Sequence, residues 1–304
     1  MLVNQLRPTR SAASHPSLPA TSRLRRYVAA IAQPRHCRAQ PPANARAREL
    51  VADLLVSWGY TVELQGPYRN VVALPRKPFG ELIAIGAHYD SVPTTPGADD
   101  NGSGVAVMLE VAQAVAMAGT PVAALAFNAE EDGLAGSRDF VRAQRGHNRW
   151  PIRLAHVLEM VGFTGPKQRV PLLPRWLPTP VPEVGDFLGL VGDQRSATAL
   201  CGVLRCARRL SSAPPVVALR TYLGVERLMP DTGRSDHAPF WAAGIPAVLW
   251  TDTGDFRSPH YHGPTDVPDT LDYDFMTRVA SLLSAVCNEH SADSSQRSAG
   301  DRFR

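Results

Sequence analysis

Cysteine is scarce. Four thiols, Cys37, Cys201, Cys206 and Cys287, are spread through 304 residues, too sparse for the disulfide framework of a small secreted scaffold. Cys201 and Cys206 fall at helical spacing beside Leu200, Val203 and Leu204, which reads as a core face rather than a metal knuckle. No apolar run approaches the roughly 20 residues of a membrane-spanning helix. Acidic residues are absent before Glu49. That arginine-bearing leading segment also lacks the apolar core of a secretory signal, so cytoplasmic residence is the expectation, with an Arg/Ser-rich transit peptide or a displaced start as the alternatives. The net charge of +4 and pI near 9.0 arise from arginines gathered towards the two ends. No aromatic-basic patch accompanies them, so nucleic acid is not an expected partner. There is no internal repeat and no linker long enough to divide the core. What is present is 44% hydrophobic residues, enough for the sizeable core of a globular chain.

The pattern alternates strands and helices. Residues 1–20 show no periodicity and are expected to form a disordered tail, residues 21–290 a single domain, and the polar residues 291–304 a second disordered tail. Helices are expected from Thr21 to Ile31 and from Ala43 to Trp58, the latter stopped by Gly59. Further helices are expected over 102–118, 133–144, 197–210 and 237–243, and at the end of the chain from Leu271 to Val286. Strands are expected at 60–64, 70–74, 82–87, 121–128, 154–160, 186–191, 216–222 and 246–251. Near-continuous apolar strands between helices predict a three-layer α/β/α sandwich with a mixed, mostly parallel sheet. Proline dominates residues 163–185, which read as an inserted functional loop over the site.

Chemistry-bearing residues follow the strands. The run Leu82 to Ala87 leads straight into His88-Tyr89-Asp90, and Asp99-Asp100-Asn101-Gly102-Ser103-Gly104 then opens a helix. Side chains at i and i+2 of an extended segment share a face, so Asp90 can hold one ring nitrogen of His88 while the other faces a metal. Glu130-Glu131-Asp132 follows another strand, Glu159 ends a third, and Tyr261-His262 follows a fourth. Singly, each has a bland reading as an acidic helix start, an arginine partner or a loop histidine. Together they bring two histidines and several carboxylates to one sheet edge, the donor set that a pair of dications needs. Ser103 belongs to no nucleophile elbow, and no cysteine lies in a catalytic motif.

Five segments resemble the zinc-dependent M28 peptidases, which include bacterial aminopeptidases and related glutaminyl cyclases. They are Gly86–Ser91, Pro96–Gly104, Ala129–Ser137, Ser235–Phe240, and Tyr261-His262 with Asp266; they occur in the family's order across roughly residues 43–290. The resemblance implies a zinc-dependent aminopeptidase with two zinc ions, acting on peptides with a free N-terminus. It implies that His88 and Glu159 hold one zinc, Glu131 and His262 the other, and Asp100 bridges them. It further implies Glu130 as general base, Tyr261 as a group that helps polarise the substrate carbonyl, Asp90 as the carboxylate behind His88, and Asp236 as a residue near the site. Glu159 departs from the pattern, since the family's peptidases often carry Asp there. The rival functions are a glutaminyl cyclase-like transferase with one zinc and a non-catalytic binding module. Trp176, Trp241, Trp250 and Phe256 are aromatic candidates for an apolar pocket or the core.

Overall fold

Leu82–His88 (β4) is buried along its whole length, as expected of an apolar run covered on both faces. In the computed structural model, which describes residues 2–6, 21–76, 80–147, 150–169, 182–222 and 229–300, β4 is a central strand of a nine-stranded sheet. The other strands are Leu2–Leu6 (β1), Tyr60–Gln65 (β2), Asn70–Pro75 (β3), Val122–Phe127 (β5), Ile152–Glu159 (β6), Leu188–Gly192 (β7), Val216–Arg220 (β8) and Ala247–Thr251 (β9). The spatial order is β1-β8-β7-β9-β6-β4-β5-β3-β2. The centre, β5-β4-β6-β9, is parallel, as is β7 with β8; the remaining pairings are antiparallel. Parallel register sets His88 beside Phe127 and Glu159 beside Thr251, so these strands end along one edge.

Seven helices cover the two faces among the described residues: Thr21–Ile31 (α1), Pro41–Ser57 (α2), Gly104–Ala118 (α3), Ala135–His147 (α4), Ala197–Arg209 (α5), His237–Ala242 (α6) and Tyr273–Gly300 (α7). Alternation along β4 divides the core: Ile83, Ile85 and Ala87 pack with α1, α2, α3, α5 and α7, while Leu82 and Ala84 pack with Phe140 of α4 and Phe240 of α6. The three-layer sandwich is therefore realised, with one thick helical layer and one thin one.

Three sequence expectations differ from this structure. Leu2–Leu6, inside the predicted tail, pairs antiparallel with β8; an edge strand offers unpaired main-chain groups that an extended segment can satisfy. Residues 7–20 lie outside the described set. At the other end the α7 backbone continues to Gly300, because no proline or glycine interrupts it earlier; residues 301–304 are not described. Helix α3 begins at Gly104 rather than Gly102, since Ala98–Ser103 forms an irregular buried turn with non-helical Asp100 and Asn101. The proline-rich stretch is described only at its ends, where Gly165 and Gly185 exchange main-chain hydrogen bonds at 3.0 and 2.9 Å; Trp176 lies outside the described residues. Trp250 is a fully buried core residue, and Trp241 packs beside the thin layer.

Candidate metal centre

The irregular turn after β4 delivers Asp100, and Gly97 makes it possible. Gly97 has φ +62°, and a Cβ there would lie 2.4 Å from the Asp100 carbonyl oxygen, so glycine alone fits. Asp266 secures the turn from the opposite side, its carboxylate accepting the amides of Asp99 at 2.8 Å and Asp100 at 3.1 Å. Asn101 ties the turn to β6, donating to the Leu158 carbonyl at 2.8 Å and accepting the Met160 amide at 3.1 Å.

The carboxylate of Asp100 stands between the two histidines. Its Oδ1 lies 3.4 Å from His88 Nε2 and its Oδ2 lies 3.1 Å from His262 Nε2. Glu159 faces the same nitrogen of His88 at 3.3 Å, and Glu131 faces that of His262 at 3.4 Å. Glu130 Oε2 is 3.9 Å from His88 Nε2. Two donors held about 2.0–2.1 Å from one ion in a tetrahedron sit about 3.3–3.4 Å apart, close to the spacings among His88, Asp100, Glu131, Glu159 and His262 but shorter than that of Glu130. Within the cluster the trios His88–Asp100–Glu131 and His88–Glu130–Glu159 are each close enough to hold an ion.

Supporting groups aim these side chains. Asp90, fully buried, lies 3.4 Å from His88 Nδ1 and accepts the amides of Glu130 at 3.2 Å and Glu131 at 3.4 Å. One carboxylate thus stands behind the histidine and holds the turn bearing both glutamates. The Ser235 hydroxyl donates to Glu159 Oε2 at 2.6 Å. With the longer side chain, Glu159 still reaches His88 from the end of β6. Asp236 is buried behind the cluster, close enough for its charge to act on Glu130. Tyr261 stacks on His262 with centroids 3.8 Å apart.

Electrostatics shows what the cluster demands. Burial drives Glu130 well above the usual carboxylate range, reinforced by the charges of Glu159, Asp236 and Glu131. Burial and the charge of Asp100 push Glu131 up to about 7. Burial alone would lower both histidines, yet the surrounding carboxylates hold His88 well above its ordinary value and His262 up to about 10. Asp100 is held low against its own burial by hydrogen bonds from the two histidines. A buried group of carboxylates that raises its histidines in this way is short of positive charge, which a dication would supply.

A second trio, His36, Cys37 and Asp132, is a poor ligand set. His36 Nδ1 accepts the amides of Arg38 and Ala39, which leaves its proton on Nε2, 3.5 Å from Asp132. Burial pushes the Cys37 thiol up to about 12 while it donates to Asp132, and Arg38 occupies the same carboxylate at 2.8 Å. Neither this clamp nor the Ser235 contact is legible in the sequence, although Ser235 opens one of the matched segments.

Beside the cluster opens a cavity of about 220 Å³. Asp100, Glu130, Glu131, Glu159, Tyr261 and His262 form its polar end. Met160, Phe187, Leu190, Leu249 and Phe256 are among its apolar walls. Of the aromatic pocket candidates among the described residues, Trp241, Trp250 and Phe256, it is Phe256 that lines the cavity.

The chain is similar to proteins of known sequence and structure. The Escherichia coli protein YfbL, whose own description is uncharacterized, is 34% identical over 275 residues, 84% of this chain and 82% of that protein. The crystal structure of BSAP, a zinc aminopeptidase from Bacillus subtilis, superposes with a TM-score of 0.53 at 26% identity, over 73% of this chain and 50% of that one. Porphyromonas gingivalis glutaminyl cyclase shares the fold, with a TM-score of 0.68 at 19% identity over 90% of this chain and 100% of that one. The chain spans 41% and 42% of the length of curated aminopeptidase relatives from Bacillus subtilis and Mycobacterium tuberculosis. A model of peptidase family M28 matches residues 70–287, more than half of the sequence and all of the clustered residues, and the chain belongs to that family.

Proposed function

We propose that this member of family M28 is a zinc-dependent aminopeptidase that removes N-terminal residues from peptides. The observation that carries the reading is the Asp100 carboxylate with one oxygen towards each histidine, 3.4 Å from His88 and 3.1 Å from His262. In this reading His88 and Glu159 hold one zinc, Glu131 and His262 the second, and Asp100 serves both. The similarity to a zinc aminopeptidase supports the choice of metal. Zinc bound there would acidify water and polarise a carbonyl.

The chain's own residues supply the rest. Glu130 lies at the cavity edge with a carboxyl whose proton affinity burial has raised, which suits a group that must both accept and donate a proton. It takes the proton of the attacking water as the water oxygen bonds to the peptide carbon. It then delivers that proton to the amine nitrogen as the C–N bond breaks. Tyr261 donates its hydroxyl to the carbonyl oxygen, which carries the developing negative charge. The acidic rim pairs with the substrate ammonium, so a free N-terminus is needed, and the apolar walls suit a large hydrophobic N-terminal side chain.

Hydrolysis of amino-acid anilides by the purified protein, with zinc measured alongside, tests the reading. Free leucine and phenylalanine anilides should be cleaved and their N-acetyl forms should not. Cleavage of the blocked substrates alone would exclude aminopeptidase action, and cyclisation of N-terminal glutamine without hydrolysis would replace it with the cyclase function. Glu130→Gln should keep fold and zinc and lose about 10² to 10⁴ in turnover.

A further inference from the structure

Tyr261 is held by more than its stacking on His262. Its hydroxyl oxygen accepts a hydrogen bond from Arg234 Nη2 at 3.0 Å, and the guanidinium carbon lies 5.8 Å from the ring centroid. Arg234 Nη1 is anchored in turn by Asp255 at 3.0 Å and by Asp231 at 3.5 Å. Asp255 sits on the short turn Gly254–Phe256, where the Arg169 amide donates to the Phe256 carbonyl at 2.8 Å. All four residues, Asp231, Arg234, Asp255 and Tyr261, line the cavity.

Arginine carries donors only. Its approach therefore occupies a lone pair of the tyrosine oxygen and turns the O–H hydrogen away from the guanidinium. Among the described residues that hydrogen has no acceptor, so it is free for a group entering the cavity. A cation beside the oxygen also makes the hydroxyl a stronger donor, since hydrogen bonds in a chain polarise one another.

We propose that Arg234 is a positioning residue for Tyr261: anchored by Asp255, it fixes the hydroxyl oxygen and presents the O–H hydrogen to the substrate carbonyl. The inference rests on the reading of Tyr261 as the donor to that oxygen. The opposing account makes Arg234 a surface ion pair, for its side chain is 42% exposed and that of Asp255 36%. Exposed pairs contribute little to stability. The two accounts therefore separate cleanly, because a surface pair leaves turnover unchanged and a positioning contact does not.

A double-mutant cycle on the zinc-loaded full chain decides, with kcat and KM for leucine anilide, zinc content and Tm read for each variant. Tyr261→Phe should lower kcat by about 10². Arg234→Met should lower kcat about tenfold with KM within about twofold and Tm nearly unchanged. The double variant should be no slower than Tyr261→Phe alone, because an arginine that acts only through the hydroxyl has nothing left to lose. Arg234→Lys should recover part of the rate through a single donor. Losses that multiply, a loss confined to KM, or an unchanged kcat in Arg234→Met would each overturn the inference. A silent Tyr261→Phe beside an inactive Glu130→Gln would remove the tyrosine's role, and the inference with it, while the peptidase reading stands.

Discussion

At the scale of single residues, the proposed reading gives Glu159 direct contact with a metal and Asp90 a supporting place behind His88. Glu159 faces His88 Nε2 at 3.3 Å, so Glu159→Ala should release one zinc selectively. Atomic absorption after dialysis should then give one ion per chain against two in the parent; two retained ions would show that Glu159 is dispensable. Glu159→Asp should retain both if the strand end approaches slightly, since the charge survives. Asp90 reaches no ion in this reading, yet it braces His88 and accepts both glutamate amides. Asp90→Ala should weaken zinc affinity about 10- to 100-fold while the ligands remain, measurable by competition with a chromogenic chelator. The donors themselves were legible in the sequence as short motifs behind apolar strands. Ser235 on Glu159 and Arg234 on Tyr261 were not, because a hydrogen bond between side chains 76 and 27 residues apart leaves no local pattern.

At the scale of elements, the loop from β4 to α3 depends on a residue from another part of the chain. Arg35 is fully buried, and its guanidinium donates to the carbonyls of Tyr89 at 2.7 Å, Pro96 at 2.6 Å and Gly97 at 2.9 Å, and also to Ile31 at 3.1 Å. It staples the connector after α1 to the loop that carries Asp100. Burial lowers its proton affinity, and the charges of Asp90, Asp100 and Asp266 offset that effect. Arg35→Met should leave several buried carbonyls unpaired at about 1–3 kcal/mol each. The urea midpoint should fall accordingly, whereas a midpoint equal to the parent's would show that water satisfies those carbonyls. Periodicity placed most strands and helices within a few residues. It failed at the start of α3, where Asp100 and Asn101 leave helical geometry to make tertiary bonds, Asp100 to Asp266 and Asn101 to Leu158 of β6, a competition that local propensity does not contain.

At the scale of the whole molecule, two buried histidines that are not among the candidate ligands make the fold sensitive to acid. Burial holds His156 down to about 3, with the charges of His290 and Arg153 adding to it, and His237 down to about 4 against a hydrogen bond to the Thr232 carbonyl. Both rings are neutral in the fold and protonate near pH 6.5 once unfolded. The unfolded chain then binds more protons, so stability should fall as pH drops from about 6.5 towards 4, by at most about 1.4 kcal/mol per pH unit for each ring. His237→Gln should flatten that slope in urea denaturation between pH 7 and pH 5; an unchanged slope would locate the acid sensitivity elsewhere. Which residues could bear chemistry was fixed by the order of amino acids, because a buried strand must be a continuous apolar run and the polar residues that follow it must emerge at its end. The α/β alternation and the donor types followed from that alone. The tertiary structure decided which donors meet. Strand order brings β9 beside β6 and β6 beside β4, carrying His262 to Asp100 across 162 residues of sequence. It also chose which arginine is buried and which faces the cavity. Those outcomes depend on distances through space, set by packing one layer on another, and the linear order of residues encodes them only through the completed fold.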